Sequence, residues 1–120
     1  MAGSAALRRA LVVEDEIMVA MYVEDLLTEL GFEVAGIATG LDQALPLARE
    51  GEFDFAVLDI NLSGQLSFPV ADVLRNRGIP FLFASGYGSK GVSETYRSAV
   101  RIQKPFVSRD LAQAIARIAG

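Results

Sequence analysis

The chain of 120 residues contains no cysteine and no histidine. Without thiols it can form neither disulfides nor thiolate metal sites, and it has no thiol nucleophile. Without imidazole it lacks the usual general base for neutral pH, so any phosphohistidine chemistry it joins must use a histidine on another molecule. Positive charge is also short: 11 Lys and Arg, scattered along the chain, face 15 Asp and Glu, for a formal charge of −4. That balance leaves no electrostatic footprint for DNA or RNA as a direct partner. Long apolar runs are missing too. Two arginines precede the first apolar stretch, but Glu14, Asp15 and Glu16 end it too early for a signal peptide or a membrane span. The expectation is a soluble, cytoplasmic protein with no membrane partner.

What is present is 52% hydrophobic content, ample for one packed domain. After a small-residue leader, short apolar runs alternate with helical periodicity, which predicts βα units around a parallel sheet. Strands are expected near Arg8 to Val13, Phe32 to Ala38, Phe53 to Leu58, Pro80 to Ala84 and Val100 to Gln103. Helices are expected near Glu16 to Leu30, with Val19, Tyr22, Val23, Leu26, Leu27 and Leu30 as its apolar stripe, and near Leu41 to Arg49. In the latter, Pro46 should start or kink the helix rather than sit in its middle. A loop through Asn61, Ser63 and Gly64 leads to a third helix near Ala71 to Arg77, closed by Gly78. The Gly- and Ser-rich stretch Gly86 to Ser98 leaves room for at most a short helix around Ser93 to Arg97. A last helix starts at Ser108 as N-cap and buries Leu111, Ile115 and Ile118. No linker, repeat or second domain is visible.

Four polar pieces close four of the apolar runs: Glu14-Asp15, Asp59, Ser85 and Lys104-Pro105. In an open α/β sheet, ligands sit beyond the carboxyl ends of the strands, so three carboxylates, a hydroxyl and an ammonium should meet at one edge. Asp59 can act as a nucleophile toward a phosphoryl group and form an acyl phosphate. Its own charge opposes that attack, and Mg²⁺ held by Glu14, Asp15 and Asp59 would offset it. Lys104 would place an ammonium near the transferring oxygens, and Ser85 a hydrogen-bond donor. Taken singly, each residue has a plainer reading: a turn aspartate, an acidic first helical turn, a loop serine, a solvated lysine. Their joint occurrence at four strand ends favours the phosphoryl-transfer site.

At these residues the chain resembles the receiver domain of two-component response regulators. The resemblance rests on Leu11-Val12-Val13-Glu14-Asp15-Glu16, Leu58-Asp59-Ile60-Asn61-Leu62-Ser63-Gly64, Ala84-Ser85-Gly86 and Lys104-Pro105-Phe106. It implies an α/β fold with a five-stranded parallel sheet in the order 2-1-3-4-5, helices on both faces, and a fourth helix that is short or replaced by loop. It implies a leader over residues 1–7 and a single receiver domain over 8–120. It further implies that Asp59 accepts phosphate from a sensor histidine kinase or phosphotransfer protein, that Glu14, Asp15 and the backbone carbonyl of Asn61 help hold Mg²⁺, and that a downstream protein partner reads the change. Such a protein is a phosphoacceptor rather than an enzyme with a substrate of its own. The stretch Ile79 to Gly88 is similar to the Pro-Phe-x-Phe-Ala-Thr-Gly-Tyr signature of a subgroup of single-domain receivers associated with general stress response kinases, with Ser85 in place of the threonine. Arg101 departs from the family, since most receivers carry Tyr or Phe there as a ring that turns inward on activation. Tyr87 is the residue placed to take over part of that role.

Two further patterns stand out. Gly86-Tyr87-Gly88-Ser89-Lys90-Gly91 matches Gly-x-Gly-x-x-Gly, but it follows the fourth strand rather than the first and reads as a loop. Ile17, Met18 and Met21 extend the apolar surface of the first helix; either the stripe is simply wide or packs on the C-terminal helix, or these residues, with Asp25, form a kinase contact patch. Two competing functions remain. A haloacid-dehalogenase-type phosphatase needs a second Asp two residues after its strand-one nucleophile, where Asp15 is followed by Glu16 and Ile17. A degenerate, phosphate-independent receiver would have little reason to carry the whole acidic set with Ser85 and Lys104.

Overall fold

Alternate residues of the strand β1 (Arg9–Val13) face opposite sides of a sheet, and both sides are covered. In a computed structural model that describes residues 7–86 and 94–119, β1 is followed by α1 (Ile17–Glu29), β2 (Glu33–Ala38), α2 (Leu41–Glu50), β3 (Phe55–Asp59), β4 (Asn61–Leu62) and β5 (Gln65–Leu66). The chain continues through α3 (Phe68–Arg77), β6 (Phe81–Ser85), a 3₁₀ turn (Glu94–Tyr96), β7 (Arg101–Gln103) and α4 (Ser108–Ala119). Five strands pair in parallel in the order β2-β1-β3-β6-β7, and β4 and β5 form a separate hairpin. Renumbered within the main sheet, this is the expected 2-1-3-4-5.

Ala10 and Val12 point to the side covered by α1 and α4, where they join Val23, Leu27, Phe55, Val57, Leu82, Leu111 and Ile115. Leu11 and Val13 point to the other side, where Ala44 and Ala48 of α2 and Val70, Ala71 and Leu74 of α3 pack on them. Complete burial of a ring such as Phe55 or Phe83 contributes on the order of 2–3 kcal/mol. Because the central strands are buried on both faces, they read as continuous apolar runs. That is why the strands are legible in the sequence.

The structure corrects several local expectations. Pro46 sits inside α2. It lies on the exposed side of that helix, with Ala44 and Ala48 facing the core, so the carbonyl it leaves unpaired one turn back can be met by water. The loop after β3 is a hairpin, with a positive-φ Ser63-Gly64 turn between its two short strands. Helix α3 begins at Phe68, three residues earlier than expected, with Pro69 in its first turn, where a missing N–H is harmless. Its end is where the sequence places it: Gly78 is left-handed at φ 73° and donates to the carbonyls of Leu74 and Arg75. Ser108 is the first residue of α4 rather than its N-cap. Val107 holds that place, since its carbonyl receives the first helical bond from Leu111, and Asp110 reaches back to accept the Val107 N–H at 3.0 Å. Tyr22 is half exposed rather than core, but its hydroxyl donates to the Phe106 carbonyl at 2.7 Å and ties α1 to the loop before α4.

In the stretch where at most a short helix was expected around Ser93 to Arg97, the described residues hold the 3₁₀ turn Glu94–Tyr96. The leader Met1 to Ala6, Tyr87 and most of the Gly86 to Gly91 pattern lie outside the described residues.

Candidate functional site

The strand register brings the four polar pieces together. Val13 lies beside Leu58, so the next residues along, Glu14 and Asp59, are neighbours at the sheet edge. Asp59 pairs with Ala84, and Ser85 pairs with Gln103, which puts Lys104 one step beyond Ser85. The Lys104 backbone N–H donates to the Ser85 carbonyl at 2.7 Å, and the Lys104–Pro105 peptide is cis. All the strand-end residues singled out in the sequence therefore meet. Asp15, Asp59, Asn61, Ser63, Ser85 and Lys104 line one cleft of about 520 Å³.

Within it, carboxylate oxygens of Glu14, Asp15 and Asp59 lie within 4.8 Å of one another, the arrangement a hard divalent cation can use. Lys104 Nζ answers that charge: it donates to Glu14 Oε1 at 2.6 Å and lies 3.5 Å from Asp59 Oδ2. The second Glu14 oxygen accepts the Glu16 N–H at 3.1 Å, which fixes the carboxylate at the entry to α1. Burial, joined by repulsion from Glu14, pushes the Asp59 carboxyl up to about 7 against the opposing pull of Lys104. Partial burial works the same way on Asp15, but the hydrogen bond from Ser63, with smaller help from neighbouring groups, holds its carboxyl below the usual range. Burial would lower Lys104, yet Glu14 and Asp59 outweigh it and hold the ammonium above its ordinary value.

Asn61 opens β4. Its side-chain Oδ1 accepts the Gly64 N–H at 2.7 Å and so serves the turn rather than the cleft. The Ser67 N–H bonds the Ile60 carbonyl at 2.8 Å at the base of the hairpin, so the alternation of antiparallel pairs puts Asn61 in a non-hydrogen-bonded pair with Leu66. Its backbone carbonyl is thereby outside the ladder. Ser85 is buried at the end of β6. Ile17, Met18 and Met21 are 55%, 76% and 51% exposed, so much of each side chain faces outward.

Two residues escaped sequence reasoning. Ser63 Oγ donates to Asp15 Oδ2 at 2.8 Å, a contact between residues 48 apart that no local spacing announces. Tyr96, isolated in a Gly- and Ser-rich stretch, is buried with its ring stacked on Phe68 and set edge-on to Phe81 and Phe83, while its hydroxyl donates to Asp72. Arg101 pairs with Phe83 in the strand register and is partly exposed on the edge strand β7, so its cation is not sealed in the core. The rings set edge-on against Phe83 come from Phe68, Phe81 and Tyr96.

An acidic triad, a paired lysine and a hydroxyl at the carboxyl edge of a 2-1-3-4-5 sheet define a receiver, and the response regulator receiver domain family matches residues 10–116. The chain belongs to that family and so to two-component signalling. It is similar to the transcriptional regulatory protein PdtaR of Mycobacterium tuberculosis, with 28% identity over 118 residues that cover 95% of this chain and 58% of that one. The phyllosphere-induced regulator PhyR of Methylorubrum extorquens is 31% identical over 111 residues, 89% of this chain and 42% of its own. The chain thus spans about half the length of these two curated relatives. Among solved structures, SdrG of Sphingomonas melonis Fr1 is 39% identical, with 98% of this chain and 100% of SdrG covered and a TM-score of 0.87. SdrG in a BeF3-activated conformation superposes with a TM-score of 0.83, at 37% identity and the same coverage. Among the described residues no helix is long and apolar enough to cross a membrane.

Proposed function

We propose that this receiver takes a phosphoryl group on Asp59 from the histidine of a sensor kinase or phosphotransfer protein and that a protein partner reads the result in the cytoplasm. The observation that carries this reading is the Lys104 ammonium set between Glu14 and Asp59, at 2.6 and 3.5 Å, on the rim of an acidic triad. In the transfer, an Asp59 carboxylate oxygen forms a bond to phosphorus while the bond from phosphorus to the donor imidazole breaks. The imidazole nitrogen keeps that electron pair. Glu14, Asp15, Asp59 and the Asn61 carbonyl would hold Mg²⁺, which supplies charge neutralisation between the attacking carboxylate and the phosphoryl oxygens. Lys104 swings from Glu14 to a phosphoryl oxygen, and Ser85 donates to another. The oxygen-only donor set and the absence of thiol and imidazole suit that ion. The signature-like Ile79 to Gly88 stretch supports placement among the single-domain receivers associated with stress-response kinases, and the similarity to the whole of the SdrG chain is compatible with it.

Incubation with acetyl phosphate and Mg²⁺ followed by intact-mass and peptide analysis is the direct test. A single phosphoryl adduct on Asp59 is expected. An adduct elsewhere, or none in the presence of Mg²⁺, overturns the reading.

The exposed Ile17, Met18 and Met21, beside the cleft on the first turns of α1, are the surface proposed for the kinase helices, with Asp25 one turn further on. Burial of such methionines against a partner is favourable and adaptable. Met18→Glu and Met21→Glu are expected to slow phosphotransfer from the cognate kinase about tenfold, the effect of roughly 1.4 kcal/mol. Uptake from acetyl phosphate should be unchanged, because neither side chain enters the cleft. Equal rates from the kinase would rule out the patch.

A further inference from the structure

The hairpin that starts two residues after Asp59 reaches back over the cleft through its turn. Ser63 and Gly64 both have positive φ, 53° and 92°, the pair of values a two-residue hairpin turn of type I′ requires. The turn is fastened at its start by the Gly64 N–H on Asn61 Oδ1 at 2.7 Å and at its base by the Ser67 N–H on the Ile60 carbonyl at 2.8 Å. Glycine, asparagine or aspartate would suit the first left-handed position better than serine does. A serine held there against its backbone preference points to a use for its side chain. Its Oγ donates to Asp15 Oδ2 at 2.8 Å, and it is the contact through which the hairpin reaches the loop between β1 and α1.

We propose, resting on the Mg²⁺ reading above, that Ser63 is a positioning residue for Asp15: its hydroxyl holds one carboxylate oxygen so that the other is set for the cation before the cation arrives. A carboxylate has about four acceptor positions, so one donor leaves capacity for a metal ion. What the donor removes is rotation. Asp15 is only partly buried, and a carboxylate free to turn toward solvent must be ordered at the moment of binding. Donors of this kind behind a ligating group are commonly worth about 10–100-fold in metal affinity.

The test is calorimetric titration of the full chain with MgCl₂. Ser63→Ala keeps the Cβ and loses only the oxygen; Ser63→Gly also loses it but relieves the positive φ. Both are expected to weaken Mg²⁺ binding about tenfold, at the lower end of that range. Their Mg²⁺-free melting temperatures should differ from each other, because the backbone strain differs. In an Asp15→Asn background, Ser63→Ala should have no further effect on Mg²⁺ affinity, a non-additivity that a general structural role would not produce. Wild-type affinity in both Ser63 variants, or tighter binding, overturns the role of Ser63 while leaving the metal reading intact. No heat of binding from the wild-type chain, with no Mg²⁺-dependent change in its amide spectrum, overturns the metal reading itself.

Discussion

An Asp59→Asn variant is expected to take up no phosphoryl group and, in Mg²⁺-free buffer at about pH 8, to melt at a higher temperature than the wild-type chain. The first result follows from loss of the nucleophile. The second follows from linkage. Burial and the charge of Glu14 raise the folded-state pKa of Asp59 to about 7 from an ordinary value of 3.8. Between those values the folded chain keeps a proton that the unfolded chain has released, so stability falls as pH rises from about 4 to about 7 and levels off above. Each pKa unit corresponds to about 1.4 kcal/mol, and screening in an open cleft reduces the whole to on the order of 2 kcal/mol. In a chain of this size that is roughly 5–10 °C in melting temperature. Melting curves at intervals from about pH 4 to 8 check it: a falling wild-type profile against a flatter one for Asp59→Asn supports the argument, and parallel profiles refute it. Added Mg²⁺ should restore the wild-type chain above about pH 7, since the cation takes over from the proton, and should do less for the variant.

How much of this could be read from the residues depended on the range of the interaction. Strands β1, β3 and β6 were legible because burial on both faces turns them into short apolar runs. The site was legible because each functional group ends such a run, and parallel register then forces Glu14, Asp59, Ser85 and Lys104 to one edge. The hairpin at Asn61 to Leu66 was not, as two-residue strands carry no periodicity and its identity lies in backbone dihedrals at Ser63 and Gly64. Pro46 misled because a proline's cost depends on which side of the helix it occupies, and that is decided by tertiary packing. Ser63 and Tyr96 were missed for a common reason. Their partners, Asp15 and the Phe68–Phe81–Phe83 cluster with Asp72, are distant along the chain and close only in the fold.

Lys104→Met is expected to affect Mg²⁺ binding and phosphoryl uptake in opposite directions. Before phosphorylation, the ammonium stands 2.6 Å from Glu14 Oε1 and 3.5 Å from Asp59 Oδ2, where it neutralises part of the charge a cation would otherwise meet. Its removal leaves three carboxylates without that competitor, and Mg²⁺ should bind several-fold more tightly, because like charges a few ångströms apart repel by kcal/mol amounts even at an effective dielectric of about 20. Asp59 also loses the one influence that lowers its pKa, so the Mg²⁺-free variant should protonate it at still higher pH. In the transfer itself the same ammonium is the only side-chain cation placed on the cleft by the described residues. Loss of one preorganised donor to a developing anion typically costs about 10²–10³ in rate, and uptake from acetyl phosphate at saturating Mg²⁺ should slow by about that factor. Methionine keeps most of the volume and so separates charge from packing. Tighter metal binding with slower transfer identifies Lys104 as a group that acts on the phosphoryl oxygens. A parallel loss of both would mean that its work is to hold Glu14 and Asp59 together, and the transfer of Lys104 from carboxylate to phosphoryl group would have to be abandoned.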